Sequence, residues 1–150
     1  MITTRIATLA DLEVAAALLD AYRQFYGKPP DRDLAVGFIR SRLQNNDSVI
    51  LLATNTVQQV VGFCQLYPSF CSVAAKPIYT LYDLFVAPAG RRCGAGKALL
   101  TAAEKLAADN GKFRMDLSTA RDNKAAQALY ESLGWVRDEL FYVYSRLIET

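Results

Sequence analysis

The sequence predicts a mixed α/β domain, a sheet with helices on its faces, and three observations carry that expectation. Stretches with apolar residues at helical spacing interleave along the chain with stretches rich in β-branched and aromatic residues. The breaks between them fall at glycine, proline and short polar clusters, with no internal repeat or long linker. At 150 residues, 52% of them hydrophobic, the chain can fill one ordinary globular core, so a single domain over 1–150 is expected.

In chain order, TTRIATL (3–9) reads as a short first strand. ADLEVAAALLDAYRQFYG (10–27) places Leu12, Ala16, Leu19 and Tyr22 at helical spacing, with Thr8 and Asp11 arranged as a capping box. KPPD stops that helix, and a second, shorter one runs through Phe38, Ile39 and Leu43 to NND. SVILLAT (48–54) and QQVVGFCQLYPSF (58–70) read as antiparallel strands joined by a polar turn. IYTLYDLFVAP (78–88) is a strand that Pro88 ends. A helix from about 94 to 110 has Leu99, Ala103 and Leu106 on one face and stops at Gly111. FRMDLS (113–118) is a strand, 123–133 a helix closed by Gly134, and WVRDELFYVYSRLI supplies one or two final strands. The order is β-α-α-β-β-β-α-β-α-β-β.

Composition removes several classes of function. A formal charge of +2, from 17 Lys+Arg and 15 Asp+Glu, is too small to predict nucleic-acid binding. No apolar run reaches the roughly 18 residues of a membrane span, and Met1 leads into a Thr/Arg segment unlike a signal peptide. A cytoplasmic protein without a membrane partner is expected. Cys64, Cys71 and Cys93 form no CxxC pair, so reduced thiols are expected, with Cys64 and Cys71 as buried small hydrophobes. Histidine is absent, which removes the commonest metal ligand, the Ser-His-Asp triad and any imidazole base. No metal is expected, and the chemistry falls to carboxylates, tyrosines, water and backbone groups.

The stretch RRCGAGKALL (91–100) sets two arginines, a lysine and two glycines at a helix start, a place suited to a phosphate. A Walker A loop would need Gly at Arg91 and a hydroxyl at Ala98; a dinucleotide fingerprint would need Gly at Leu99. Neither fits. What fits is [Arg/Gln]-x-x-Gly-x-Gly/Ala at Arg91, Gly94 and Gly96, preceded by LFVAP. With VVGF (60–63), MDLS and the downstream NKAAQALYESLGW, the chain resembles the GCN5-related N-acetyltransferase (GNAT) superfamily over residues 1 to about 146. In look it is similar to bacterial Hpa2-type and diamine acetyltransferase-like members.

The resemblance implies a GNAT fold: a central mixed, mostly antiparallel twisted sheet of six to seven strands with about four helices on its faces. It implies an acetyl-CoA-dependent N-acetyltransferase acting by direct attack of an amine, without an enzyme nucleophile. The anion in the loop is then the pyrophosphate of acetyl-CoA, ringed by the segment Arg91, Arg92, Cys93, Gly94, Ala95, Gly96 and Lys97. The backbone of Leu84, Phe85 and Val86 is implied to pair with pantetheine where this strand splays from the next, one N–H polarising the thioester carbonyl. Asn123 and Tyr130, seven residues apart, fall on nearly one helical face beside the apolar arc of Ala126, Leu129 and Leu133. Lys124, Gln127 and Glu131 point to water. By resemblance Asn123 and Ala126 touch the cofactor, and Tyr130 is the general acid for the departing thiolate. A tyrosine of ordinary pKa, about 10, is protonated at neutral pH, as an acid must be.

The base is less marked. Asp83 lies on the cofactor strand, on the face opposite Leu84, where polyamine acetyltransferases carry Glu-Asp and this chain has Tyr82-Asp83. It either accepts the substrate's proton, directly or through water, or attracts an ammonium, or is a hydrogen-bonded structural aspartate. Tyr22, Phe25, Tyr26, Tyr67, Phe70, Tyr79 and Tyr82, with Asp20, Asp31 and Asp33, suit a primary amine such as a polyamine or a lysine in a basic protein tail. Aromatic residues in strands are also ordinary core. Two alternatives stand beside catalysis of acetyl transfer: a module that only binds acyl-CoA, and an acyltransferase with another donor. Finally, LFYVYSRLI (140–148) alternates with largely apolar side chains on both faces, which predicts either a partner chain, and hence a homodimer, or a monomer in which the first two helices bury both faces. Of the two, the homodimer is expected.

Overall fold

Five strands pair in chain order, β1-β2-β3-β4-β5, in the computed structural model, which describes residues 1–149. They are β1 (Thr3–Ile6), β2 (Val49–Thr54), β3 (Val60–Cys71), β4 (Lys76–Val86) and β5 (Met115–Asp116). The helices are α1 (Leu12–Phe25), α2 (Arg32–Asn45), α3 (Ala95–Asp109) and α4 (Lys124–Ser132). The first four strands are antiparallel neighbours and β4–β5 is parallel, so the sheet is mixed. The chain divides into two compact units, Met1–Ser118 and the residues from Thr119 onward.

In the first unit the helical and strand periodicities decide which faces meet. Ala15, Ala16 and Leu19 of α1 and Ala35 and Ile39 of α2 pack on Ile50, Leu52, Phe63 and Phe85, one face of the sheet. On α3, Leu99 and Leu100 are fully buried, each a burial of about 1.5–3 kcal/mol. A Cβ on Gly62 would lie 2.9 Å from the Phe85 carbonyl, so a glycine lets β4 pass this close, while the Leu99 side chain of α3 would be in ordinary contact at 3.4 Å. Ahead of α1, Asp11 accepts the Thr8 N–H at 2.8 Å, as the capping pattern predicts. Arg5 grips both Asp11 oxygens at 2.8 Å and pulls its pKa down to about 2.

Two bulges interrupt the ladders. Gln65 stands opposite Asp83 and Leu66 opposite Leu81, which makes Tyr82 an extra residue in β4. The other lies between Ala53 and Thr54, opposite Gly62 and Val60.

The sheet corrects the expected count of six to seven strands to five among the described residues. The stretch 113–118 narrows to Met115–Asp116, its neighbour Arg114 closing onto the Asp116 carboxylate at 2.7 Å. Residues 135–149 form no strand. Strand-forming side chains register fit to a neighbour, not a backbone preference. Here Asp138 takes the N–H groups of Leu140 and Phe141 at 3.1 and 3.0 Å, a local arrangement that competes with a ladder. No helix among the described residues is long and apolar enough to cross a membrane.

Candidate active site

The site begins where β4 leaves β5. Their parallel pairing runs only over Tyr79↔Met115 and Thr80↔Asp116, so among the described residues Leu81–Val86 have no strand partner on that side. The Ala87 N–H bonds the Val61 carbonyl at 2.8 Å, which fixes the alternation at this end. Phe85 therefore turns its backbone groups into the β3 ladder, opposite Phe63, while those of Leu84 and Val86 face outward. Of the three residues whose backbone was expected to pair with pantetheine, Leu84 and Val86 turn their backbone groups outward and Phe85 does not. The Val86 carbonyl meets Arg91 Nε at 3.2 Å, which ties the first loop arginine to the end of the strand.

After β4 a short turn (Pro88–Gly90) leads into the glycine loop. A Cβ on Gly90 would sit 2.5 Å from the Val61 Cβ, so the turn passes too close to β3 for a side chain. Arg92 and Gly94 both have positive φ, 64° and 84°, reversing the chain before α3. Gly94 caps α3, and its carbonyl receives the Ala98 N–H at 3.0 Å. The N–H groups of Ala95, Gly96 and Lys97 then lie in the first turn, ahead of any helical partner. A Cβ on Gly94 would meet nothing within 4 Å, so the space beside these donors is open. A depression of about 500 Å³ beside them is lined by Ile2, Thr4, Cys93, Gly94, Lys97 and Lys105 among others. It brings Cys93, Gly94 and Lys97 to one surface, on the side of α3 toward β1 rather than β4. The Cys93 thiol turns back to the Gly90 carbonyl at 2.6 Å. No ion pair among the described residues engages Arg91, Arg92 or Lys97. The donors, the open space and the unpaired cations together fit a diphosphate.

On the α1/α2 side of the sheet lies Asp83, 5% exposed, beside fully buried Gln65. Gln65 Nε2 donates to Asp83 Oδ2 at 2.6 Å, and Ser48 Oγ donates to Gln65 Oε1 at 2.8 Å. Burial raises the Asp83 pKa, and the Gln65 hydrogen bond works against that rise. Tyr67 and Tyr82 stack edge to face at 5.5 Å, and burial followed by the Asp83 charge pushes the Tyr67 phenol up. Tyr22 meets the rings of Tyr26, Phe63 and Phe85 at 5.1–5.9 Å, and its hydroxyl donates to the Tyr82 carbonyl at 3.5 Å.

Several expected acceptor residues stand elsewhere. Tyr79 bonds Asn110 at 2.8 Å beneath Lys112, at the other end of β4. Phe70 is 77% exposed near the β3–β4 turn. Asp20 accepts the Asp31 N–H at 2.9 Å, and Asp31 caps α2 through Leu34 N–H at 3.1 Å, so both acids join the helices. Cys64 is buried as expected, but Cys71 is not. A backbone N–H from Ala74, aided by Arg114 at 3.9 Å, lowers its thiol pKa. Gln65 and Ser48 were missed. The signal was a lone glutamine inside the apolar run VVGFCQL.

In the second unit Asn123 caps α4, its Oδ1 accepting the Ala126 N–H at 3.3 Å. Gln127, expected to point to water, instead donates to the Ala120 and Arg121 carbonyls, both at 3.0 Å, and anchors the loop before the helix. The Tyr130 ring meets Trp135 at 6.1 Å.

The family model described as "Acetyltransferase (GNAT) family" matches residues 12–135. "Uncharacterized N-acetyltransferase YhfO" of Bacillus subtilis (strain 168) is 43% identical over 140 residues, 93% of each chain. A crystal structure of "a probable acetyltransferase" superposes with TM-score 0.89 at 38% identity, covering 100% of this chain and 99% of that one. The structure of AAC(6')-Iy with the bisubstrate analogue CoA-S-monomethyl-acetylneamine shares the fold, with TM-score 0.80 at 20% identity and 99% of each chain covered. With the diverging β4 and β5, the glycine loop and the helices in family order, the chain belongs to the GNAT family of acetyl-CoA-dependent N-acetyltransferases.

Proposed function

We propose that residues 1–150 work as one catalytic domain that moves an acetyl group from acetyl-CoA to a primary amine carried as a cation, a polyamine-like molecule or a lysine in a basic tail. The observation that carries the acceptor class is the buried Asp83 carboxylate close to the Tyr67–Tyr82 pair. A negative group beside aromatic rings attracts an ammonium and can then take its proton. The neamine-bearing analogue held by AAC(6')-Iy is in keeping with a cationic amine.

In this reading the outward groups of Leu84 and Val86 pair with pantetheine, Arg91 moving off the Val86 carbonyl. The segment Arg92–Lys97 holds the diphosphate, and Asn123 and Ala126 add cofactor contacts. Bound acetyl-CoA supplies the activated acyl group. Asp83 takes one proton from the ammonium, and the amine's lone pair forms the C–N bond. The C–S bond breaks with its electron pair on sulfur, which receives a proton from Tyr130. The second amine proton returns to Tyr130 through water, and the proton on Asp83 is the one released to solvent.

The test is a panel of acyl-CoA donors against cadaverine, spermidine and a lysine peptide, read by thiol release. Release with acetyl-CoA and at least one of these amines is expected. Binding of acetyl-CoA without release to any of the amines would overturn the acceptor assignment.

We further propose a cytoplasmic homodimer. What supports pairing is the tail, where Leu140, Phe141, Tyr142, Val143 and Tyr144 are each at least 78% exposed. Light scattering at micromolar concentration should give about twice the 16.6 kDa chain mass. A monomer mass at every concentration, with and without acetyl-CoA, would exclude it.

A further inference from the structure

We propose that Gln65 is a positioning residue for proton removal: its amide, anchored by Ser48, holds one oxygen of Asp83 and leaves the other to take the amine's proton. The inference rests on the reading of Asp83 as the base. Gln65 is fully buried in a run of apolar strand residues, where an amide without partners costs several times the worth of an ordinary hydrogen bond. It has partners at both ends, and they dictate its orientation.

Ser48 presents its hydroxyl proton to Oε1 at 2.8 Å, which sends the NH₂ end toward Asp83 Oδ2 at 2.6 Å. Turned over, the amide would set its own oxygen against a carboxylate oxygen, two acceptors with no proton between them. The arrangement therefore suits a carboxylate ionised at Oδ2. Oδ1 has no hydrogen-bond partner among the described residues. Nor is it sealed: among those residues the side-chain polar atom buried without a partner is Arg23 Nη1. Oδ1 is thus the oxygen that remains for a water or the amine.

Two influences on Asp83 oppose each other, burial favouring the neutral acid and the Gln65 N–H favouring the carboxylate. The neighbours leave Asp83 as the group that changes charge. On β3, Cys64 and Tyr67 are both pushed upward, by burial first and Asp83 second, and stay neutral through the working range. On β4 stands Tyr82, in ring contact with Tyr67. From α1, Tyr22 reaches the Tyr82 carbonyl; from α2, Arg42, paired with Asp47 at 2.7 Å, acts on Tyr67.

The test is a carbon-13 carboxyl NMR titration of the full chain, with the Asp83 signal identified by its loss in Asp83→Asn. Gln65→Met keeps length and apolar volume but removes the donor. It should raise the Asp83 midpoint by about one pH unit or more, the scale of a hydrogen bond to a charged group. The acid limb of kcat/KM, measured with the fastest amine of the panel above, should move up by the same amount. The sign follows from the chemistry: without the donor the carboxylate is harder to form, so activity is lost at a higher pH as the solution is acidified. Ser48→Ala, which releases Oε1, should move the midpoint the same way by less. It decides the matter if Gln65→Met does not fold. An unmoved midpoint overturns the positioning role. Asp83→Asn with wild-type rate and an intact acid limb overturns the base itself. A lost acid limb in Asp83→Asn with an unmoved midpoint in Gln65→Met or Ser48→Ala removes Gln65 alone.

Discussion

Replacing Tyr130 by phenylalanine is expected to cut turnover about 100-fold or more while acetyl-CoA binding stays near wild type. The ring is kept, so its contact with Trp135 and the end of α4 should survive; only the hydroxyl goes. A positioned acid is worth roughly 10²–10⁴-fold because the thiolate otherwise leaves without a proton delivered in place. The loss should therefore appear in kcat and kcat/KM together, with KM for acetyl-CoA little changed. It should also shrink for an acyl donor whose leaving thiol is more acidic, since such a group needs less help. Wild-type turnover in Tyr130→Phe would leave the tyrosine a packing residue.

The second large effect is expected at Gly94. Gly94→Glu sets a carboxylate at the cap of α3, in space where a Cβ meets no atom within 4 Å. The substitution carries a conformational cost of about 1–2 kcal/mol, because φ is 84°. An acidic group at a helix N-terminus offsets part of it, so the folded protein should persist. Bound diphosphate would face a like charge. At about 4 Å and an effective dielectric near 20 that repulsion is about 4 kcal/mol, which screening by salt reduces. Affinity for acetyl-CoA should fall on the order of 100-fold. With ligand at about 100 times its wild-type Kd, the wild type gains about 2.7 kcal/mol and melts several degrees higher, whereas the variant gains a few tenths. Gly94→Gln carries the same strain without the charge and should keep more of the shift. An acetyl-CoA response in Gly94→Glu equal to wild type would place the diphosphate elsewhere.

The loop and the strand before it were legible in the sequence because their requirements are local. Gly94 must adopt a left-handed conformation, and the unbroken apolar run LFV reports a core strand wherever its neighbours lie. The helix over 123–133 was legible from its local spacing, and the structure adds that Asn123 caps it. What was not legible depends on distant partners. Asp20, Asp31 and Asp33 formed an attractive acidic set on paper, but Asp20 and Asp31 are engaged in joining α1 to α2. Tyr79 looked like its neighbours until the bulge and the short β5 placed it against Asn110. Gln65 and Asp83 lie 18 residues apart and meet only through the register of β3 and β4. The tail carried strand-forming residues on both faces, yet Asp138 bends its backbone locally, which no alternation pattern records.

The extra residue at Tyr82 acts on β4 as a change of phase. Before it, odd-numbered amides look away from β3, as the Tyr79 N–H on the Arg114 carbonyl shows. After it, odd-numbered amides look toward β3, as the Ala87 N–H on the Val61 carbonyl shows. One strand can thereby serve two neighbours in turn, lending its first half to β5 and turning the Leu84 and Val86 amides out where β5 has left. That outward row is made of main chain, which every amino acid carries, so substitutions at Leu84 and Val86 that preserve packing leave it in place. Its frame is set by the count of residues rather than their kind. A deletion of the extra residue Tyr82 would leave Leu84 and Val86 facing outward, whereas a deletion at Leu84, beyond the bulge, would hand the outward row to Phe85. Beyond the bulge, a row that tolerates substitution does not tolerate a change in length.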